Sequence, residues 1–181
     1  MCLTLKTNLK ESLTFDPSNS NTKTIKVYKQ YLRSDIRPSA NGFPVRCLHR
    51  VHSPILKKDV TLVSSREVNP TFNGFENRLS PYELRRNEVH EGFHAWRRKD
   101  RALNNGYDKK KAARCSPNSI IVEFEGHIDH FIAEGTSGDM VFSRLTPKAI
   151  VGYSTRNSSL LRKPTKAMLK AFNGSATKKK T

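Results

Sequence analysis

The sequence predicts an α+β fold: a small, mostly antiparallel sheet with one main helix and flexible basic termini. Three observations predict it. Short apolar runs with strand periodicity or β-branched enrichment recur at 24–29, 45–52, 60–63 and 119–125. Stretches rich in Gly, Pro, Asn and Ser separate them, as antiparallel connections require. Residues 97–103 suit a helix, and Asn104-Asn105-Gly106 suits its stop.

Residues 1–23 are rich in Ser, Thr, Asn and Lys and lack periodicity, which predicts a disordered leader. Order is expected to begin at Thr24, where Ile25 and Val27 alternate with Lys26 and Tyr28. Pro38, Asn41-Gly42 and Pro44 mark a loop, a second strand follows over 45–52, and a third covers 60–63. Ser80, Pro81 and Glu83 have the spacing of a helix capping box with proline at the first helical position, so a short helix is expected over 81–87. Residues 89–96 read as a loop or short strand leading into the 97–103 helix, and helix is expected to resume over 107–114. The clearest strand is 119–125; a hairpin follows through 130–133, a Gly135/Gly138 turn and 140–142. A last strand after Pro147 closes a single α+β domain over 24–153. Residues 154–181 then form a basic C-terminal extension, helical near 165–172 and disordered beyond.

The chain carries 33 Lys plus Arg against 16 Asp plus Glu in 181 residues, a formal charge of +17. No apolar run approaches the roughly 18 residues that span a bilayer, and no signal-peptide core follows Met1, so a soluble, non-secreted protein is expected. Cys2, Cys47 and Cys115 form no CxxC pair, which excludes a zinc ribbon or thioredoxin-type motif and favours reduced thiols. The charge is segregated. Residues 85–114 hold ten basic and four acidic side chains. Residues 116–139 hold five acidic and no basic ones, and residues 140–181 hold ten basic and no acidic ones.

Basic blocks of this kind neutralise phosphates and release counterions, giving sequence-independent affinity for nucleic acid. The polyanion-binding candidates are Arg97, Arg98, Lys99, Arg101, Lys109, Lys110, Lys111, Arg114, Lys178, Lys179 and Lys180. Phe93, His94 and Trp96 are candidates for stacking or a pocket wall beside them. Glu123 and Glu125 alternate with Val122 and Phe124, as on the solvent face of a half-buried strand, and are expected to pair across the sheet with the basic helix. No helix-turn-helix, zinc-finger or RNA-recognition signature is present, so non-specific or shape-based binding is expected.

Six histidines fall in three local pairs: His49 with His52, His90 with His94, His127 with His130. His90-Glu91-Gly92-Phe93-His94 matches the zincin spacing literally, but that chemistry needs a helix and Gly92 disfavours one. No metal is therefore assigned. His94, His127, His130 and Glu123 remain weak candidates for general acid–base chemistry, because imidazole titrates near neutrality. There is no P-loop, no nucleophile elbow and no cofactor motif.

Taken in order, several motifs resemble a family of small uncharacterised proteins encoded by tailed bacteriophages. They are Met1-Cys2-Leu3, Ile25-Lys26-Val27-Tyr28-Lys29, His52-Ser53-Pro54, Glu91-Gly92-Phe93-His94-Ala95-Trp96, Ile121-Val122-Glu123-Phe124, Gly138-Asp139-Met140-Val141-Phe142-Ser143 and Pro147-Lys148-Ala149-Ile150. The resemblance covers roughly 25–151 and departs from the family pattern at 126–132. It implies a phage origin and carries no mechanism.

The expectation from sequence is a non-catalytic phage accessory protein in the host cytoplasm, binding nucleic acid or a host nucleic-acid-handling complex through its basic patches. Two other readings stand beside it. One is a small enzyme or nucleotide-ligand pocket around His94, Trp96 and strand 123–130. The other is an inhibitor that binds a host protein directly.

Overall fold

The computed structural model describes residues 3–4, 23–34, 42–47, 54–65, 79–89, 91–103 and 116–174. Twelve strands and three helices follow in chain order: β1 (Leu3–Thr4), β2 (Thr24–Arg33), β3 (Phe43–Cys47), β4 (Ile55–Leu56), β5 (Leu62–Val63), α1 (Pro81–Arg86), β6 (Glu88–Val89), β7 (Phe93–Trp96), α2 (Lys99–Leu103), β8 (Ser119–His127), β9 (Phe131–Glu134), β10 (Asp139–Phe142), β11 (Arg144–Thr155), β12 (Ser158–Arg162) and α3 (Lys166–Asn173). A single 3-10 turn, Ile128–His130, joins β8 to β9.

This corrects the α+β expectation. Of the described residues 54% are strand and 19% helical, and ten strands belong to one antiparallel sheet, so the fold is mostly β. The helix expected to dominate, 97–103, shrinks to five residues, because Arg97 and Arg98 form the corner between β7 and α2. The strands gain what the helices lose. β11 runs twelve residues through Pro147, and β12 returns beside it, so order does not stop at residue 153.

The sheet runs β12-β11-β8-β2-β7-β10-β9. β2 lies beside β8 from Thr24↔His127 to Leu32↔Ser119. Its other edge is shared: Tyr28 pairs with Trp96 of β7, and Tyr31 to Arg33 pair with β3. β4 extends β3, and β5 pairs with the start of β11. β1 falls within the expected leader yet pairs with β6.

Period-two alternation explains which way each strand faces. Val27 and Tyr31 of β2, with Ile120, Val122 and Phe124 of β8, point into the main core. Phe142 of β10 lies against Gly126 of β8, close enough that an added Cβ would sit 2.5 Å from its ring. β2 and β7 stand between those two strands in the sheet, so the sheet curls around its own concave face. Phe131 meets Phe142 edge-on at 5.5 Å within that curl. α3 covers part of the same core with Met168 and Phe172, and the Phe172 carbonyl accepts from the Lys58 amide at 2.8 Å.

α1 begins as its sequence predicts. The Ser80 hydroxyl accepts from the Glu83 amide at 3.3 Å, and the Glu83 carboxylate accepts from the Ser80 amide at 2.9 Å. The Gly135–Gly138 turn joins β9 to β10, as expected. Among the described residues no helix is long and apolar enough to cross a membrane.

Candidate functional site

The convex face of the sheet carries a groove of about 740 Å³, lined by Tyr28, Arg97, Arg98, Lys99, Asp100, Leu103, Leu160 and Leu161. Four elements build it. β2 presents Tyr28 outward because Val27 faces the core. β7 ends at Trp96, which is 6% exposed and registers opposite Tyr28, so the next three residues turn off the sheet beside that ring. α2 then crosses the face, and Leu103 packs with Ile121, Val151 and Leu161. β12 supplies the far rim, where Leu160 is 54% exposed.

Gln30 fixes α2 in place. It is 4% exposed on β2. In the amide orientation that satisfies its neighbours, its nitrogen donates to the carbonyls of Ala102 at 3.0 Å and Leu103 at 3.3 Å. Its oxygen accepts from the Ser119 hydroxyl at 2.8 Å and the Ser116 amide at 2.9 Å. The last carbonyls of a helix have no partner within it, and a helix of five residues has little else to hold it. Nothing in the sequence around Gln30 signals this role.

The cations of the corner differ. Arg98 donates twice to Asp100, from Nε at 3.0 Å and Nη2 at 2.7 Å. These bonds hold the Asp100 carboxyl below the usual carboxylate range. Arg97 and Lys99 are exposed and have no ion-pair partner among the described residues. Three cations against one carboxylate leave a net positive corner over an apolar floor. At one side of the groove Tyr28 stands directly across the β2–β8 pair from Glu123, which is ion-paired with Lys26 at 3.0 Å. Burial first, and then the Glu123 carboxylate, push the Tyr28 phenol up.

The structure brings some sequence candidates together and separates others. Arg97, Arg98 and Lys99 share the groove; Arg101 lies on α2, half-buried. Lys109, Lys110, Lys111, Arg114, Lys178, Lys179 and Lys180 lie outside the described residues, as do the helix expected at 107–114, His49, His52, His90, Cys2 and Cys115. Trp96 is a buried anchor, and Phe93 packs against the main core. The aromatic ring that reaches the groove is Tyr28. The parity of β2 marked it as outward-facing, but only the Tyr28↔Trp96 pairing puts it beside Arg97.

His94 is half-buried on β7, and its carbonyl accepts from Lys29 Nζ at 2.7 Å. Extending the β2–β7 register puts it level with Gln30, whereas His127 pairs with Thr24. Six strand residues separate those levels, about 20 Å. His127 and His130 do lie near each other, with ring centroids 6.2 Å apart, and His127 Nδ1 is 3.1 Å from the Asp129 carboxylate. Along β2, His94 thus lies well away from the level of His127, and Glu123 is engaged by Lys26 of β2 rather than by the basic helix. Phe93 and His94 are on a strand, so the zincin-like pattern is not carried by a helix. Among the described residues no three His, Cys, Asp or Glu side chains are grouped to hold a metal.

Gly92 explains how β7 enters the site. Its φ of +109° is a left-handed value, and a Cβ there would lie 2.6 Å from Val141. No protein-family model, no curated protein and no solved structure matches the chain.

Proposed function

We propose that this is a non-catalytic accessory protein of phage type that acts in the host cytoplasm and binds nucleic acid, free or within a host complex. The observation that carries the reading is the 97–99 corner. Arg97 and Lys99 stand exposed and unneutralised among the described residues at the mouth of a groove, while Asp100 orients Arg98 beside them. Phosphate is the ligand chemistry that guanidinium and ammonium groups so placed recognise, by forked hydrogen bonds and by charge.

The groove volume lies in the ligand-sized range of roughly 300–1,000 Å³. The basic residues flanking it in sequence, including 109–111 and 178–180, add long-range attraction to the same polyanion. Binding to labelled DNA and RNA is measured as a function of salt. The reading expects affinity that falls steeply with ionic strength, and no detectable binding at low salt overturns it.

A further inference from the structure

We propose that the groove is a single-strand site: an unpaired base lies against Tyr28 and the Leu160–Leu161 rim while Arg97 and Lys99 hold the adjoining phosphates. This deepens the nucleic-acid reading above and rests on it. The floor is the reason. A duplex presents phosphates outward and keeps its bases stacked inside, so it engages Arg97 and Lys99 and leaves Tyr28, Leu103, Leu160 and Leu161 without a partner. An unpaired strand offers both chemistries a few ångströms apart, and an aromatic ring beside a basic rail serves every base because each has a π-face.

The geometry of Tyr28 suits that task. On β2 it sits between its cross-strand partners, Glu123 of β8 and Trp96 of β7, so the sheet holds the ring at the border of the groove. Leu160 is 54% exposed on the opposite rim, an aliphatic side chain that a flat base would cover. The carboxylate of Asp100 is already occupied by Arg98, so it does not repel a phosphate at Arg97 as a free anion would.

The test uses the full chain and fluorescence anisotropy at low salt. The probes are labelled oligothymidine and oligouridine of about twelve nucleotides, each alone and annealed to its complement. One stacked base predicts a preference of about tenfold for the single strand over its duplex. Tyr28→Leu and Leu160→Ser should each remove most of that preference and leave duplex affinity unchanged. Leu160→Ser alters an exposed side chain, so it reads the groove even if Tyr28→Leu disturbs the strand. Arg97→Ala with Lys99→Ala should weaken strand and duplex alike, and lower the single-strand salt slope by about 1.4. A preference for either single strand, DNA or RNA, supports the proposal, and the two arms identify which one is favoured. Equal affinity for strand and duplex, or a preference that survives both apolar-rim variants, overturns the single-strand assignment and leaves the nucleic-acid reading intact. Absence of binding to every probe overturns both.

Discussion

Gly126 and Asp139 illustrate how single residues record the curvature of the sheet. Gly126 is buried on β8 because the Phe142 ring occupies the space where a Cβ would project. Gly126→Ala should therefore overpack the core and cost about 1–3 kcal/mol, read as a lower urea midpoint at unchanged slope. Asp139 opens β10 opposite Trp96 and is 5% exposed. Burial pushes its carboxyl up to about 6, and the neighbouring Glu134 carboxylate adds to the push. A carboxyl whose folded pKa lies above its unfolded value favours folding while protonated. Its contribution is complete below about pH 4 and is lost as pH rises through about 6. Asp139→Asn should remove this segment of the pH dependence and raise the melting temperature at pH 7 relative to the parent. Thermal melts at pH 4.5 and 7 check it, and an unchanged pH profile would argue against the buried acid.

At the level of elements, two short helices depend on the sheet rather than on their own propensity. α2 has five residues, and its last carbonyls are satisfied by Gln30. Gln30→Leu should leave those carbonyls without their donor, cost about 1–3 kcal/mol, and weaken binding at the 97–99 corner together with stability. Hydrogen exchange of the α2 amides reports the local effect. α3 is amphipathic: Phe172 is 1% exposed, while Leu169 faces outward at 38%. Phe172→Ala should cost about 3–5 kcal/mol and Leu169→Ala well under 1, a contrast measurable by chemical denaturation. Equal and small effects would mean that the helix is not docked.

For the whole molecule, the formal charge of +17 is segregated along the chain into two basic blocks around an acidic stretch. Inside the fold, acidic residues of β8 are already engaged: Glu123 by Lys26, and Glu125 by Lys148 at 3.2 Å. Such exposed pairs add little stability, but they cover the acidic strand with positive neighbours. Lys178, Lys179 and Lys180 lie outside the described residues and act through charge alone in this reading. Deleting them should lower the salt slope of single-strand binding by about 2. The preference for strand over duplex should persist, because the groove supplies it. Loss of the preference with the tail would relocate the site.

How much was legible in the sequence follows from range. Local rules reached local features: the Ser80–Glu83 capping box, the Gly135–Gly138 turn and the outward parity of Tyr28 all follow from neighbours a few residues away. The helical share was over-read, since a basic run such as 97–103 satisfies helix propensity yet lies where a strand must end and turn. Strand β12 is not expected from the sequence for a related reason. Ser158–Arg162 places its two leucines side by side rather than alternating, and only the neighbouring edge of β11 makes it a strand. By itself, then, the sequence determined the charge, its segregation, the strand-rich middle and the run of cations at 97–101. Tertiary structure alone decided that Tyr28, Leu160 and Arg97 share one groove and that Gln30 closes α2. Those contacts join strands far apart in the chain, and pairing at that distance is set by the shared core rather than by any local pattern.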